Sequence, residues 1–128
     1  MVEMHGWITL RDTYEDTDED KTKTIVDDIN SKIKEYGYYD LEATWMNGEC
    51  CLQFALYTNH WGQQNQDYLD IYHYIAGKAA GSYGLLYVHD DEAKNDGNSF
   101  VVYKLIRGKV ERVVDDMLSP YIPTVEDN

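Results

Sequence analysis

Cysteine, proline and cationic side chains are all scarce in this chain. The two cysteines, Cys50 and Cys51, are neighbours. Adjacent residues of a strand point to opposite faces, which argues against a bridge between them. Two thiols without a framework suit a reducing compartment. No apolar run approaches the roughly 20 residues that a membrane-spanning helix needs. The start, Met1-Val2-Glu3-Met4-His5, has neither the basic region nor the apolar stretch of a signal peptide. These absences predict a cytoplasmic, soluble protein with no membrane contact. Lysine and arginine number 11 against 24 aspartates and glutamates, a formal charge of −13 in 128 residues. Nucleic-acid binding is built on lysine and arginine, so this balance excludes a nucleic-acid partner.

The negative charge is clustered. One patch holds Asp12, Glu15, Asp16, Asp18, Glu19 and Asp20; another holds Asp90, Asp91, Glu92 and Asp96. Such patches repel one another and attract basic partners over a distance. Two readings stand side by side: a surface for a basic protein, or charge that only keeps the chain dispersed. The chain is nevertheless no disordered acidic tail. Hydrophobic residues make up 43% and aromatics 13%, with 12 tyrosines and 3 tryptophans, which is composition for a folded core. No repeat or linker marks a boundary, and the length fits one domain over residues 1–128.

Residues 4–10, with Trp7, Ile8 and Thr9, read as a strand. A polar acidic connection leads to a helix capped by Thr17 or Asp18, along which Ile25, Val26, Ile29, Ile33 and Tyr36 form one apolar stripe. Gly37 supplies a left-handed stop. Asn47-Gly48 is the signature of a type I′ hairpin. It sets Trp45 opposite Cys50, Ala43 opposite Leu52 and Leu41 opposite Phe54, all on one face. A loop with His60, Trp61 and Gly62 precedes a second helix, striped by Tyr68, Ile71, Tyr72, Ile75 and Ala79 and ended by Gly81. Strands follow at residues 82–89, 100–106 and 110–114, with an acidic loop at 90–99. The tail pairs Ser119-Pro120 and Ile122-Pro123 cannot continue a central strand. The order β-α-β-β-α-β-β-β predicts an α+β fold. Its first six elements match a ferredoxin-like split βαβ, with a mainly antiparallel sheet and both helices on one face. The other face is then partly bare and carries aromatics.

The sequence holds no HExxH, Cys-x-x-Cys, G-x-S-x-G or phosphate-loop pattern. His89-Asp90-Asp91-Glu92 could hold a divalent cation, but consecutive loop residues need distant partners to converge on one ion. Asp16-x-Asp18-x-Asp20 resembles the start of a calcium loop. Lys21 stands where such a loop needs glycine and Asp27 where it needs glutamate, so it is rejected. His60-Trp61 suits a binding corner, or a packed indole beside a solvated imidazole. Cys50 falls on the core face, where a thiol is inert. Most of Tyr68, Tyr72, Tyr74, Tyr83, Tyr87 and Tyr103 are expected in the core with hydroxyls reaching the surface.

Three strings taken together carry a resemblance: His5-Gly6-Trp7-Ile8-Thr9-Leu10-Arg11-Asp12-Thr13-Tyr14; Gly81-Ser82-Tyr83-Gly84-Leu85-Leu86-Tyr87 with Asp90-Asp91-Glu92 behind it; and Leu118-Ser119-Pro120 running on to Pro123. With Trp45-Met46-Asn47-Gly48 and Arg107-Gly108, they make the whole chain similar to the immunity protein 7 family of bacterial polymorphic toxin systems. The resemblance implies a protein without catalysis or cofactor that binds a cognate toxin domain in the cytoplasm. That domain is expected to be basic, a nuclease being the preferred guess. No contact motif comes with the resemblance. Charge and expected exposure alone nominate Asp12, Tyr14, Glu15, Asp16, Asp18, Glu19, Asp20, His60, Trp61, Asp90, Asp91 and Glu92 as partner-binding residues. Two rival readings remain: a small metal-dependent enzyme using His89, Asp90 and Asp91, and a module that binds a ligand on the aromatic sheet face.

Overall fold

A computed structural model describes every residue except Tyr14, Asp16 and Thr17. The elements follow in the order β1 (Val2–Leu10), α1 (Glu19–Glu35), β2 (Thr44–Met46), β3 (Glu49–Thr58), α2 (Gln63–Lys78), β4 (Tyr83–Asp90), β5 (Val101–Ile106), β6 (Lys109–Val114) and α3 (Tyr121–Thr124). The fold is α+β, as the element order implies, with a short third helix added in the tail. The six strands form one open sheet in the order β2-β3-β1-β4-β5-β6, and every pairing is antiparallel. Nothing in the arrangement of the first four strands conflicts with a split βαβ; β5 and β6 extend the sheet beyond it.

One face of the sheet makes the core. Val2, Met4, Ile8 and Leu10 alternate along β1, and all are buried. The register sets Leu52 of β3 beside Ile8 and Val88 of β4 beside Met4, so the same face continues across three strands. Both long helices lie on it. α1 contributes Val26, Ile29 and Ile33, and α2 contributes Tyr68, Ile71, Tyr72 and Ile75. Each such aliphatic side chain, once buried, contributes about 1.5–3 kcal/mol relative to exposure.

Local chemistry sets the helix ends. The Asp18 carboxylate accepts the N–H groups of Asp20 and Lys21 at 3.0 and 3.2 Å, and Glu19 and Asp20 favour the positive end of α1. Beyond Tyr36 the chain turns at Gly37 (φ +96°), whose N–H donates to the Lys34 carbonyl while that of Tyr38 donates to Ile33. The end of α2 differs from expectation. Ala79 closes the helix by donating to the Ile75 carbonyl at 2.8 Å, and Gly81 has another task. A Cβ on Gly81 would lie 2.0 Å from the Thr13 carbonyl oxygen, and one on Gly84 would lie 2.0 Å from that of Trp7. The segment leaving β1 therefore packs against the segment entering β4, backbone on backbone. Ser82 Oγ fastens this contact by accepting the Arg11 N–H at 3.1 Å.

The hairpin forms with the expected turn and register: Asn47 and Gly48 have φ of 50° and 83°, and Trp45 pairs with Cys50. The strand before it is shorter than the alternation suggested. The backbone of Ala43 is bonded by the Asn30 side chain of α1, at 2.9 Å to its N–H and 3.4 Å to its carbonyl. Ala43 and Leu41 are buried outside the ladder, while Trp45 stands 40% exposed on the edge strand. Tyr72 also differs. It is fully buried, and its hydroxyl lies 3.0 and 2.8 Å from the carbonyls of Trp7 and Leu85, sharing one hydrogen between them. The missing side chain of Gly6 makes room for that hydroxyl, which would sit 2.7 Å from a Cβ there.

Candidate interaction surface

The two acidic clusters occupy opposite ends of the sheet. β1 runs from Val2, which pairs with Asp90, to Leu10, which pairs with Cys50 beside the hairpin. The chain then leaves β1 into the first cluster, while the second follows the far end of β4. His60 and Trp61, between β3 and α2, join the second end: His60 Nδ1 is 2.6 Å from the Glu92 carboxylate.

At the first end, part of the charge is engaged by the fold itself. Burial alone would raise the Asp12 carboxyl. Hydrogen bonds from the Thr22 hydroxyl and from the Thr13 and Asp18 backbone outweigh it and leave the group below its usual range. Asp18 caps α1, and Glu19 makes an exposed pair with Lys23 at 3.6 Å. Glu15 and Asp20 are exposed, with no side-chain partner among the described residues. Tyr14 and Asp16 lie outside the described residues. Beside this end is a cleft of ≈ 210 Å³ lined by Arg11, Glu19, Trp45 and Glu49.

At the second end, the string His89 to Glu92 disperses. His89 is buried within β4, its ring stacked on Tyr121 at 4.1 Å and its Nε2 2.9 Å from the Gly97 carbonyl. Asp91 accepts the N-terminal ammonium of Met1 at 2.7 Å, which lowers the carboxyl and raises the amine. The Asp90 carboxylate accepts the N–H of Glu92 at 3.0 Å, and Glu92 goes to His60. The three residues of the metal reading thus face three different ways. Among the described residues, no group of three or more histidine, cysteine or carboxylate side chains is placed to share a metal ion. Cys50 is buried as expected, and burial pushes its thiol up to about 11.

The face of the sheet away from the helices is divided. Toward β5 the tail lies over it. Asp115 accepts the N–H groups of Met117 and Leu118 and the Ser119 hydroxyl, and Ser119 Oγ in turn accepts the Phe100 N–H at 2.8 Å. Asn98 bonds both polar groups of the Ile122 backbone. This places Tyr121 over His89 and Phe100, an arrangement with no periodic signal in the sequence. Over β3, β1 and the start of β4 the same face is open, and its outward rings include His5, Trp7, Tyr57 and Tyr83. The order of elements implies bare aromatics on this face, and Tyr83, 41% exposed, is one of the tyrosines that stand outside the core.

The family model for immunity protein 7 matches residues 1–127, and the chain belongs to that family. Membership makes it an immunity protein against a toxin, with a cognate toxin as its partner. No curated protein and no solved structure matches the chain. No helix among the described residues is long and apolar enough to cross a membrane.

Proposed function

We propose that the chain neutralises a bacterial polymorphic toxin domain by tight stoichiometric binding in the cytoplasm, without turnover. The observation that carries this reading is the family match over essentially the whole length. The charge of −13 supports a basic partner, and a nuclease fits because its cleft must be basic to hold phosphates. The exposed carboxylates Glu15, Glu19 and Asp20 meet the partner from the first end of the sheet, with Tyr14 and Asp16 beside them in the chain; Asp90 to Glu92, His60 and Trp61 offer a second contact at the other end.

Co-expression with the toxin domain should restore growth, and the two chains should co-purify in equal amounts. Their association rate should fall steeply from low to physiological salt, because steering is screened beyond about 8–10 Å there. Protection at strongly substoichiometric amounts, or protection without a complex, overturns the reading.

A further inference from the structure

The open sheet face carries features that charge steering does not explain. Along β1 its outward positions are Glu3, His5, Trp7 and Thr9, flanked by Gln53, Ala55 and Tyr57 of β3 and by Tyr83, Leu85 and Tyr87 of β4. Trp7 is 37% and Tyr57 60% exposed. The rings are nevertheless held by neighbours: His5 meets Tyr57 edge to face at 5.4 Å, and Trp7 meets Tyr83 at 6.0 Å. Ordered aromatics lose little conformational freedom when a partner covers them, and tryptophan and tyrosine dominate interface energetics. His5, Trp7, Gln53 and Tyr87 line a wide depression of ≈ 570 Å³. Glu3, mostly buried, lies at its side, 2.9 Å from His5 Nε2. None of the outward positions of β1, β3 and β4 is a lysine or arginine.

We propose that this face is the anchor of the toxin contact. It receives an apolar patch of the toxin domain with an arginine or lysine side chain seated over Trp7 and Tyr87, within reach of Glu3. A cation on aromatic faces beside a carboxylate is favoured by both contacts. The assignment deepens the immunity reading and rests on it. The size of the face fits. A standard interface covers about 800 Å² per partner, a disc about 32 Å across. The nine residues of β1 span about 27 Å at the usual strand rise. A partner centred on His5 and Trp7 therefore reaches both ends of the sheet, and the two acidic clusters become the rim of one footprint. A second copy of this chain is a poor occupant, since it brings −13 against −13 and Glu3 against Glu3.

Binding kinetics with the toxin domain test this for the full chain and for Trp7→Ala, Tyr57→Ala and Glu3→Gln, alongside thermal melts. Oxidative footprinting of Trp7 and Tyr57 in the wild-type complex adds a readout that needs no substitution. Trp7→Ala should weaken binding by about 30-fold or more, mostly through faster dissociation, with the salt dependence unchanged. Both rings should be protected in the complex. Tight wild-type binding with both rings still oxidised, and less than about threefold loss in Tyr57→Ala, overturns the face assignment and leaves the immunity reading intact. Absence of any wild-type complex overturns both. If Trp7→Ala fails to fold, Tyr57→Ala and the footprint decide. A wild-type dimer that Tyr57→Glu converts to monomers also overturns the assignment.

Discussion

The two faces of the sheet use the same residue type for opposite ends. Under the helices, tyrosine hydroxyls are tied into the fold. Tyr72 reaches two backbone carbonyls, Tyr38 donates to Asp67 at 2.7 Å, and Tyr74 donates to Asp28 at 2.5 Å. Their ionisation moves accordingly. Burial raises Tyr72 and, together with Asp67, raises Tyr38, while donation to Asp28 takes Tyr74 to about 12. On the open face, Tyr57 and Tyr83 rest on a histidine and a tryptophan and their rings meet solvent; the Tyr57 hydroxyl makes a long, exposed contact, 3.4 Å from His5 Nε2. A tyrosine in a strand or helix pattern is therefore not informative by itself; its hydroxyl partner and its cover distinguish scaffold from surface.

The sharpest way to break this comparison is to intrude between the strands that both faces share. Gly84→Ala puts a methyl group 2.0 Å from the Trp7 carbonyl oxygen and 2.9 Å from the Ile8 Cα, both backbone. It should cost at least about 4 kcal/mol or abolish the cooperative melt, because neither atom can swing aside. A near wild-type melting curve would show that β1 and β4 are more loosely joined than their register implies.

A paired substitution sharpens the contrast at smaller cost. Tyr72→Phe leaves buried carbonyls short of a donor and should destabilise by about 1–3 kcal/mol in urea unfolding. Tyr57→Phe removes a hydroxyl at the surface and should stay within about 0.5 kcal/mol of wild type. Equal effects would erase the distinction between the faces.

A destabilisation at the lower end of that expected for Tyr72→Phe concerns the covered part of the open face. Burial alone would raise the Asp115 carboxyl, but hydrogen bonds from Met117, Ser119 and Leu118 outweigh it and hold the group below 3.8. A depressed folded value means that its stabilisation is complete above the unfolded pKa and is lost as pH falls through the folded one. Asp115→Asn should therefore lower stability at pH 7 by about 1 kcal/mol and flatten the decline of the wild type below about pH 4. A decline that is unchanged in the variant would remove Asp115 from the tail's anchorage.

Much of the fold could be read from the sequence where signals were local. The α1 stripe, the Asp18 cap and the Asn47-Gly48 turn each depend on residues a few positions apart. What escaped reading depends on distant partners. The shortness of β2 follows from Asn30, thirteen residues earlier, and the true setting of Gly81 follows from Thr13. The antiparallel pairing of β1 and β4 divides the acidic clusters between two ends. The pairing of His60 with Glu92 left no sign in the sequence, since it joins loops 32 residues apart. The engagement of Asp12 by Thr22 was hidden for the same reason: a carboxylate on a loop gives no sign of which hydroxyl will find it. The order of elements implied a partly bare face with aromatics; that His5 and Trp7 are among its rings follows from the register of β1 with β3 and β4.

The contact between the end of β1 and the start of β4 separates two kinds of change this chain can undergo. Two of the strings that carry the family resemblance, around His5 to Thr13 and around Gly81 to Tyr87, are the segments whose backbones press together there. A change at Gly81 or Gly84 is eliminated by misfolding whatever toxin is present. A change at Tyr57, Glu15 or Asp20 leaves the scaffold standing and, on the contact proposed above, answers to the partner. A lineage built this way can keep its signature while it exchanges one adversary for another.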